Sequence, residues 1–260
     1  MQSVFGADWQ SAALFNSIAC RIVCSLGGHI HHISKPFEEI SWLERETHHT
    51  RRLFYLSYML DKDISLRTGH PPLLTDVYCD LTPFDTSLEH NPYLQQPGWD
   101  GDIGDDKSYE HTSYLVGNIT LSLLKEKVFR LLFSAQALKD NDNQLLLNIR
   151  QLDDEIERWR LSIPIDLRPI LFIPQNTSPG KCDESIPHII SRMSLQLDYH
   201  HLMTVIHTTV RKCTPEAGGA ATQDLHEVAH SSFDLSLVAS RSTFRCLRHL
   251  VSKFPEETFR

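Results

Sequence analysis

His226, Glu227 and His230 are the residues of this chain best spaced for catalysis. The run His226-Glu227-Val228-Ala229-His230 is a literal H-E-x-x-H. On a helix it sets two imidazoles one turn apart with a carboxylate beside them, the arrangement by which many metallopeptidases hold zinc and a general base. Catalytic zinc needs a third protein ligand and an open position for water. The extended protease continuation fails, because Phe233 stands where a glycine is required and Ser236 where the third histidine is required. Glu256 and Glu257 lie downstream, but they follow Pro255 at the end of the chain with no second helix to present them. A chain with 15 histidines offers many chances for such a pentapeptide. The expectation is therefore no metal and no enzyme, with a zinc metallopeptidase through His226, Glu227 and His230 kept as an alternative.

Other reactive side chains read the same way. His29, His31 and His32 crowd a short link, and solvated or capping roles are expected there rather than metal ligation. Cys20 and Cys24 share a helix face at a spacing of four, where a free thiol behaves as a small hydrophobe. Asp100, Asp102, Asp105 and Asp106 suggest a calcium loop, but Asp105 falls where its glycine belongs and His111 where its bidentate glutamate belongs. His200 and His207 stand two turns apart on a helical pattern with no carboxylate at matching spacing, and are read as structural. Glu46, Arg51, Arg52 and Asp61 put charges of both signs on an otherwise apolar helix, where mutual pairing or capping is expected before ligand contact. No Gly-rich phosphate loop and no G-x-S-x-G elbow is present.

The elements that carry these residues are helical. The central stretch runs from Glu44 to Pro83. Leu53, Leu56, Leu60 and Ile64 recur at helical spacing and predict one apolar face, with Phe54, Tyr55, Tyr58 and Met59 covering much of the remaining circumference. A helix apolar on most sides is expected to be buried among others. Gly69 can close it in a left-handed conformation, and Pro71 and Pro72 cannot continue it. Before it, Leu14, Ile18, Ile22 and Leu26 predict a helix face that Gly27 and Gly28 end. After it come helical patterns over Leu115–Leu138, Leu145–Trp159 (stopping before Pro164), Ile189–Lys212 and Thr222–Lys253. The seam Leu145, Ile149, Leu152, Ile156, Trp159 is short for a coiled coil and is expected to pack within the domain. No strand or repeat signal survives. The predicted fold is all-α, an irregular bundle of roughly six to eight helices in a single domain, 1–260, with a long acidic loop over 85–108.

Residues in the central stretch carry a family resemblance. Their order is Glu46, Arg51-Arg52, Phe54-Tyr55, Leu60-Asp61, Gly69-His70-Pro71, Asp76, Asp80 and Pro83. This order resembles the signature of the fungal-specific transcription factor domain, the middle homology region of fungal zinc-cluster regulators of the xylanolytic activator type. Tyr55 stands where the family usually has Trp, and His70 where it has Arg. The turn Leu26-Gly27-x-His29, the phrase Glu155…Trp159…Ile163-Pro164 and the core Leu195-x-Leu197-x-Tyr199-His200 also resemble it. The likeness extends from about Ile18 to Leu250 and implies a domain that starts upstream of this chain and possesses further helices there.

What the resemblance implies is a regulatory role in transcription, in the nucleus. In such proteins a separate six-cysteine module binds zinc and DNA. Its Cys-x-x-Cys pairs are not in this sequence, so DNA is implied as a partner only through a module outside it, and zinc only in full-length members. Protein co-regulators, a small-molecule effector and a homodimer remain open as partners, and a helical interaction module with no DNA-linked role stays as the alternative. Composition agrees. A net charge of −8 with no basic stripe suits nucleic acid poorly, and 41% apolar residues can build a core. Six scattered cysteines suggest reduced thiols, and no run is long enough to span a bilayer.

Overall fold

The computed structural model describes residues 8–30, 42–82, 108–174, 186–212 and 221–253. Pro83, the acidic loop up to residue 107, His31, His32, Cys182, Cys213, Glu256 and Glu257 lie outside the described residues. Six α-helices and no strand are present among the described residues: α1 (Trp9–Ser25), α2 (Trp42–Thr68), α3 (Ser108–Leu132), α4 (Asp142–Ser162), α5 (Ile186–Thr208) and α6 (Ala221–Lys253). The architecture is all-α, as the periodicity predicts. The chain forms two compact units, Met1–Phe129 and Arg130–Arg260.

In the first unit α1 packs antiparallel on α2. Asn16 meets Asp61, Gly28 meets Arg51, and Trp9 sits beneath the Arg67 guanidinium. Asp8 caps α1 by accepting the Ser11 N–H at 3.1 Å. Gly27, at φ 81°, turns the chain at the other end. Which face packs differs from the expectation. Leu14, Ile18, Ile22 and Leu26 are exposed, and the buried row is Ala12, Asn16, Cys20 and Val23. On α2, Leu53, Leu56 and Leu60 are likewise exposed, and only Ile64 of the expected row is buried. The inward side carries Phe54, Tyr55, Tyr58, Asp61, Lys62 and Ser65. The reason is volume. Three large rings on α2 leave room for small side chains on α1, and close packing outweighs the hydrophobicity of the longer residues. The resulting core joins Cys20 and Val23 to Phe54, Tyr55, Tyr58, Leu74, Cys79 and Ile119.

Gly28 is an unforeseen part of this contact. A Cβ there would lie 3.0 Å from Phe54 Cβ and 3.1 Å from the Thr50 carbonyl oxygen. The position ends α1, and it also sets how closely the loop approaches α2.

In the second unit the seam of α4 is buried as predicted: Leu145, Ile149, Leu152, Ile156 and Trp159 all face inward. Asn141 caps this helix through the Gln144 N–H at 2.8 Å. The preceding helix ends at Leu132, short of the expected Leu138, which lies exposed in a 3-10 turn (Ala137–Lys139). Helix α5 runs into a 3-10 turn at Thr209–Lys212 and packs on α6. The buried row of α6 is small: Ser232, Ser236, Ala239, Ser242 and Cys246, while Leu247 of the expected row is exposed.

Candidate functional site

Helix α2 carries the charged residues Glu46, Arg51, Arg52 and Asp61 that the sequence singles out, and the structure turns Arg51 and Asp61 inward. Arg51 is buried and donates to the Gly28 carbonyl at 2.9 Å, to the Tyr55 hydroxyl at 3.0 Å and to the Asp80 carbonyl. Its guanidinium lies 5.1 and 4.8 Å from the ring centroids of Phe54 and Tyr55, within cation–π range. The Asp80 carboxylate stands 3.8 Å away and also accepts the Thr82 N–H and hydroxyl at 2.8 and 2.6 Å. Tyr55 donates its hydroxyl to the Thr82 carbonyl. Arg51 and Tyr55 thus fasten the acidic segment after α2 back onto that helix. Burial pushes the Tyr55 phenol upward, only partly countered by Arg51.

One turn further on, Asp61 and Lys62 form a second buried group. Lys62 is 1% exposed, with its ammonium 2.9 Å from Asp61 Oδ2 and 3.4 Å from Glu126 Oε2. It also donates to the Leu74 carbonyl and lies 4.0 Å from the Tyr58 ring centroid. Asp61 accepts the backbone N–H of Leu73 and of Leu74, and the Asn16 amide at 3.5 Å. Glu126, from α3, accepts the Tyr58 hydroxyl at 2.6 Å and the Asp76 N–H at 3.2 Å. Burial, then the hydrogen bond to Glu126, drives the Tyr58 phenol far above its ordinary range. Two carboxylates around one ammonium, all desolvated, persist only with every remaining lone pair engaged. Backbone donors supply that engagement here.

The signature residues divide accordingly. Arg51, Phe54, Tyr55, Asp61 and Asp80 are brought together, and Asp76 joins through its backbone. Gly69 has φ 75° and donates to the Ser65 carbonyl at 2.9 Å, closing α2. Glu46 and Pro71 are exposed, and Arg52 is half-buried with its pKa drawn down by burial. Sequence reasoning missed Lys62, Glu126 and Asn16, and the close approach of Gly28 to α2. The available signal was position: Lys62 lies one turn from Tyr58 and Ser65, and Glu126 one turn from Ser122 and Phe129, both on the packed sides of their helices.

The second unit holds a polar arrangement of another kind. The extended segment after α4 crosses α5 and α6 with its backbone held by side chains. Gln196 accepts the Ile170 N–H at 3.0 Å and donates to the Ile170 carbonyl at 2.7 Å, as a neighbouring strand would. His200 Nε2 lies 2.9 Å from the same carbonyl. Ser242 accepts the Ile173 N–H at 3.2 Å, and Arg245 donates to the Ile173 carbonyl. Burial holds His200 below the usual histidine range. His207 is buried, with Nε2 3.2 Å from Asp153 Oδ1 but without hydrogen-bond geometry.

For the H-E-x-x-H run, the side chains of His226 and Glu227 lie outside the described residues. His230 is exposed on α6, its Nδ1 3.2 Å from Asp234 Oδ2 one turn away. Among the described residues no three His, Cys, Asp or Glu side chains stand together as a metal site, and no helix is long and apolar enough to cross a membrane. Burial, with Asp61 nearby, pushes the Cys20 thiol up to about 12.

A helical scaffold whose buried charges are engaged by its own backbone defines a class: an all-α module in which the charged groups organise the fold. The chain belongs to the fungal-specific transcription factor domain family, whose model matches residues 7–161. It is similar to an ABC-transporter-regulating transcription factor of Aspergillus oryzae, at 32% identity over 62% of this chain and 16% of the relative. The protein of the same description from Aspergillus fumigatus is 31% identical over the same shares. The chain thus spans about a sixth of the length of the curated relatives it matches. No solved structure matches it.

Proposed function

We propose that this chain is the regulatory, middle homology region of a fungal transcription factor and that it adjusts DNA-templated transcription in the nucleus. The family match across residues 7–161 carries this reading. Two relatives named as regulators of ABC transporters support it and suggest genes of membrane transporters as the targets. The chain acts without catalysis. Its charged residues Arg51, Asp61, Lys62 and Glu126 serve the fold, since each is buried and engaged by neighbouring groups. With a net charge of −8 it reaches DNA through a separate zinc-cluster module, and zinc belongs to that module.

The test tethers the full chain to a heterologous zinc-cluster DNA-binding module in a fungal cell carrying a matching reporter. A several-fold change in reporter output over the module alone is expected, with the tagged protein in the nucleus. Output equal to that of the module alone would remove the regulatory reading and leave an interaction module with no DNA-linked role. Metal analysis addresses the remaining alternative. Stoichiometric zinc that is lost on changing His226 and His230 to Ala would restore the metallopeptidase.

A further inference from the structure

The second half of α6 departs in charge from the chain as a whole. From Leu237 to Lys253 it carries Arg241, Arg245, Arg248 and Lys253 and no Asp or Glu, in a protein of net charge −8. At about 100° per residue, Arg241, Phe244, Arg245 and Arg248 fall within one arc of the helix, opposite the buried row Ser236, Ala239, Ser242 and Cys246. The sequence alone does not register this stripe, because only the packing shows which face is left open. Arg241 and Arg248 are exposed, and neither has an ion pair among the described residues. Asp234, two turns before Arg241 on the same face, is engaged by His230 at 3.2 Å.

Two phenyl rings flank the stripe. Phe244 is 73% exposed on one side of it, and Phe172 is 59% exposed on the other. Ser242 and Arg245 hold Phe172 in place through the Ile173 backbone, and the Arg245 guanidinium lies 5.4 Å from its ring centroid. Arg245 is thus engaged within the fold, and Arg241 and Arg248 face outward between the rings. Arginine and aromatic side chains are the types enriched where proteins dock, whereas a solvated face favours lysine and no rings.

The spacing says what fits. Arg241 and Arg248 stand seven residues apart, about 10 Å along the axis. A helix laid alongside repeats that interval on one face, with carboxylates at its first and eighth positions and apolar side chains at the fourth and fifth to meet Phe244. An extended strand, rising about 3.4 Å per residue, reaches the same distance in three residues and there points to its opposite face. A nucleic acid is repelled by the chain's net charge and has no aliphatic groups for the two rings. We propose that Arg241, Phe244 and Arg248, with Phe172 beside them, dock an acidic amphipathic helix of a partner protein. The proposal is independent of the reading of function above.

Fluorescence anisotropy on the full chain tests it. The probe is a labelled helix-forming peptide with Glu at the first and eighth positions and Leu at the fourth and fifth. A Kd of about 50 µM is expected at low salt, rising steeply as salt is added, as for a small charged interface. Arg241→Glu with Arg248→Glu should weaken binding about 30-fold or more, and Phe244→Ser about 5-fold. Because these side chains are exposed, both variants should keep their helical content and thermal melting. Replacing the two Glu of the peptide by Lys should abolish binding to the parent chain and restore it to the charge-reversed one. No binding of the acidic peptide at about 1 mM would overturn the proposal. So would binding that the charge reversal leaves unchanged, which would lie on another surface. A lowered melting temperature in the reversed chain would show that the stripe is covered within the protein, and would overturn it too. Duplex DNA or an anionic phospholipid vesicle that binds more tightly than the peptide, and loses binding with the same reversal, would make the stripe a phosphate-binding face instead.

Discussion

Asp61 accepts the backbone N–H of Leu73 with both carboxylate oxygens, at 3.1 and 3.0 Å. The two residues are separated by the end of α2, the Gly69 turn and two prolines, so one carboxylate fixes where the chain returns after reversing. The same group is the nearer partner of the buried Lys62. Changing Asp61 to Ala removes both functions and leaves Glu126 as the one carboxylate at the ammonium among the described residues. The expected loss is about 3 kcal/mol, the usual scale for breaking a buried pair, read by urea unfolding of the full chain. Asp61→Asn keeps an acceptor for Leu73 but not the charge, so its loss should be smaller. Equal stability of all three chains would remove Asp61 from the framework.

Gly69 and Gly28 should fail for different reasons. At Gly69 a Cβ meets nothing within 4 Å, so its constraint is the backbone alone, at φ 75°. Gly69→Ala should cost about 1 kcal/mol from left-handed strain, and Gly69→Asn clearly less, since Asn tolerates that conformation.

At Gly28 the constraint is space. The added Cβ would meet Phe54 Cβ at 3.0 Å and two carbonyl oxygens at 3.0 and 3.1 Å. None of these is the far end of a flexible side chain, so α1 and α2 must move apart. A cost of about 2 kcal/mol is expected for Gly28→Ala, within the usual range for overpacking. Thermal melting reads both costs, and hydrogen exchange separates the cases, because only the Gly28 change should loosen protection across Thr50 and Phe54.

The helices themselves were legible because their apolar residues recur at a period near 3.6, and α4 shows the rule at its best, with every member of its seam inside. On α1 and α2 the period was right and the face was wrong. Periodicity weighs hydrophobicity, whereas Ala12, Asn16, Cys20 and Val23 were selected by the space left beside Phe54, Tyr55 and Tyr58. Arg51, Asp61 and Gly69 were legible through the family pattern. Lys62 and Glu126 were not, because their contact joins residues 64 apart in sequence and buries charges that a hydropathy reading assigns to solvent. The same holds for Gln196, whose fork onto Ile170 copies a strand edge within a helical protein and has no local signal.

The segment across α5 and α6 gives the last prediction, through His200. This residue is fully buried, its Nε2 faces the Ile170 carbonyl and the Gln196 amide, and its Nδ1 has no hydrogen-bond partner among the described residues. Burial is the largest influence on its titration and lowers it from 6.5. The folded form therefore binds a proton less readily than the unfolded one. Its contribution is fully present above about pH 6.5 and declines as the pH falls from there toward the lower, folded value. Denaturant stability of the chain should drop across that window, and His200→Gln should flatten this part of the profile. Glutamine can still donate to the Ile170 carbonyl but takes up no proton. If the variant and the parent lose stability in parallel between pH 7 and pH 5, the acid sensitivity originates in other groups.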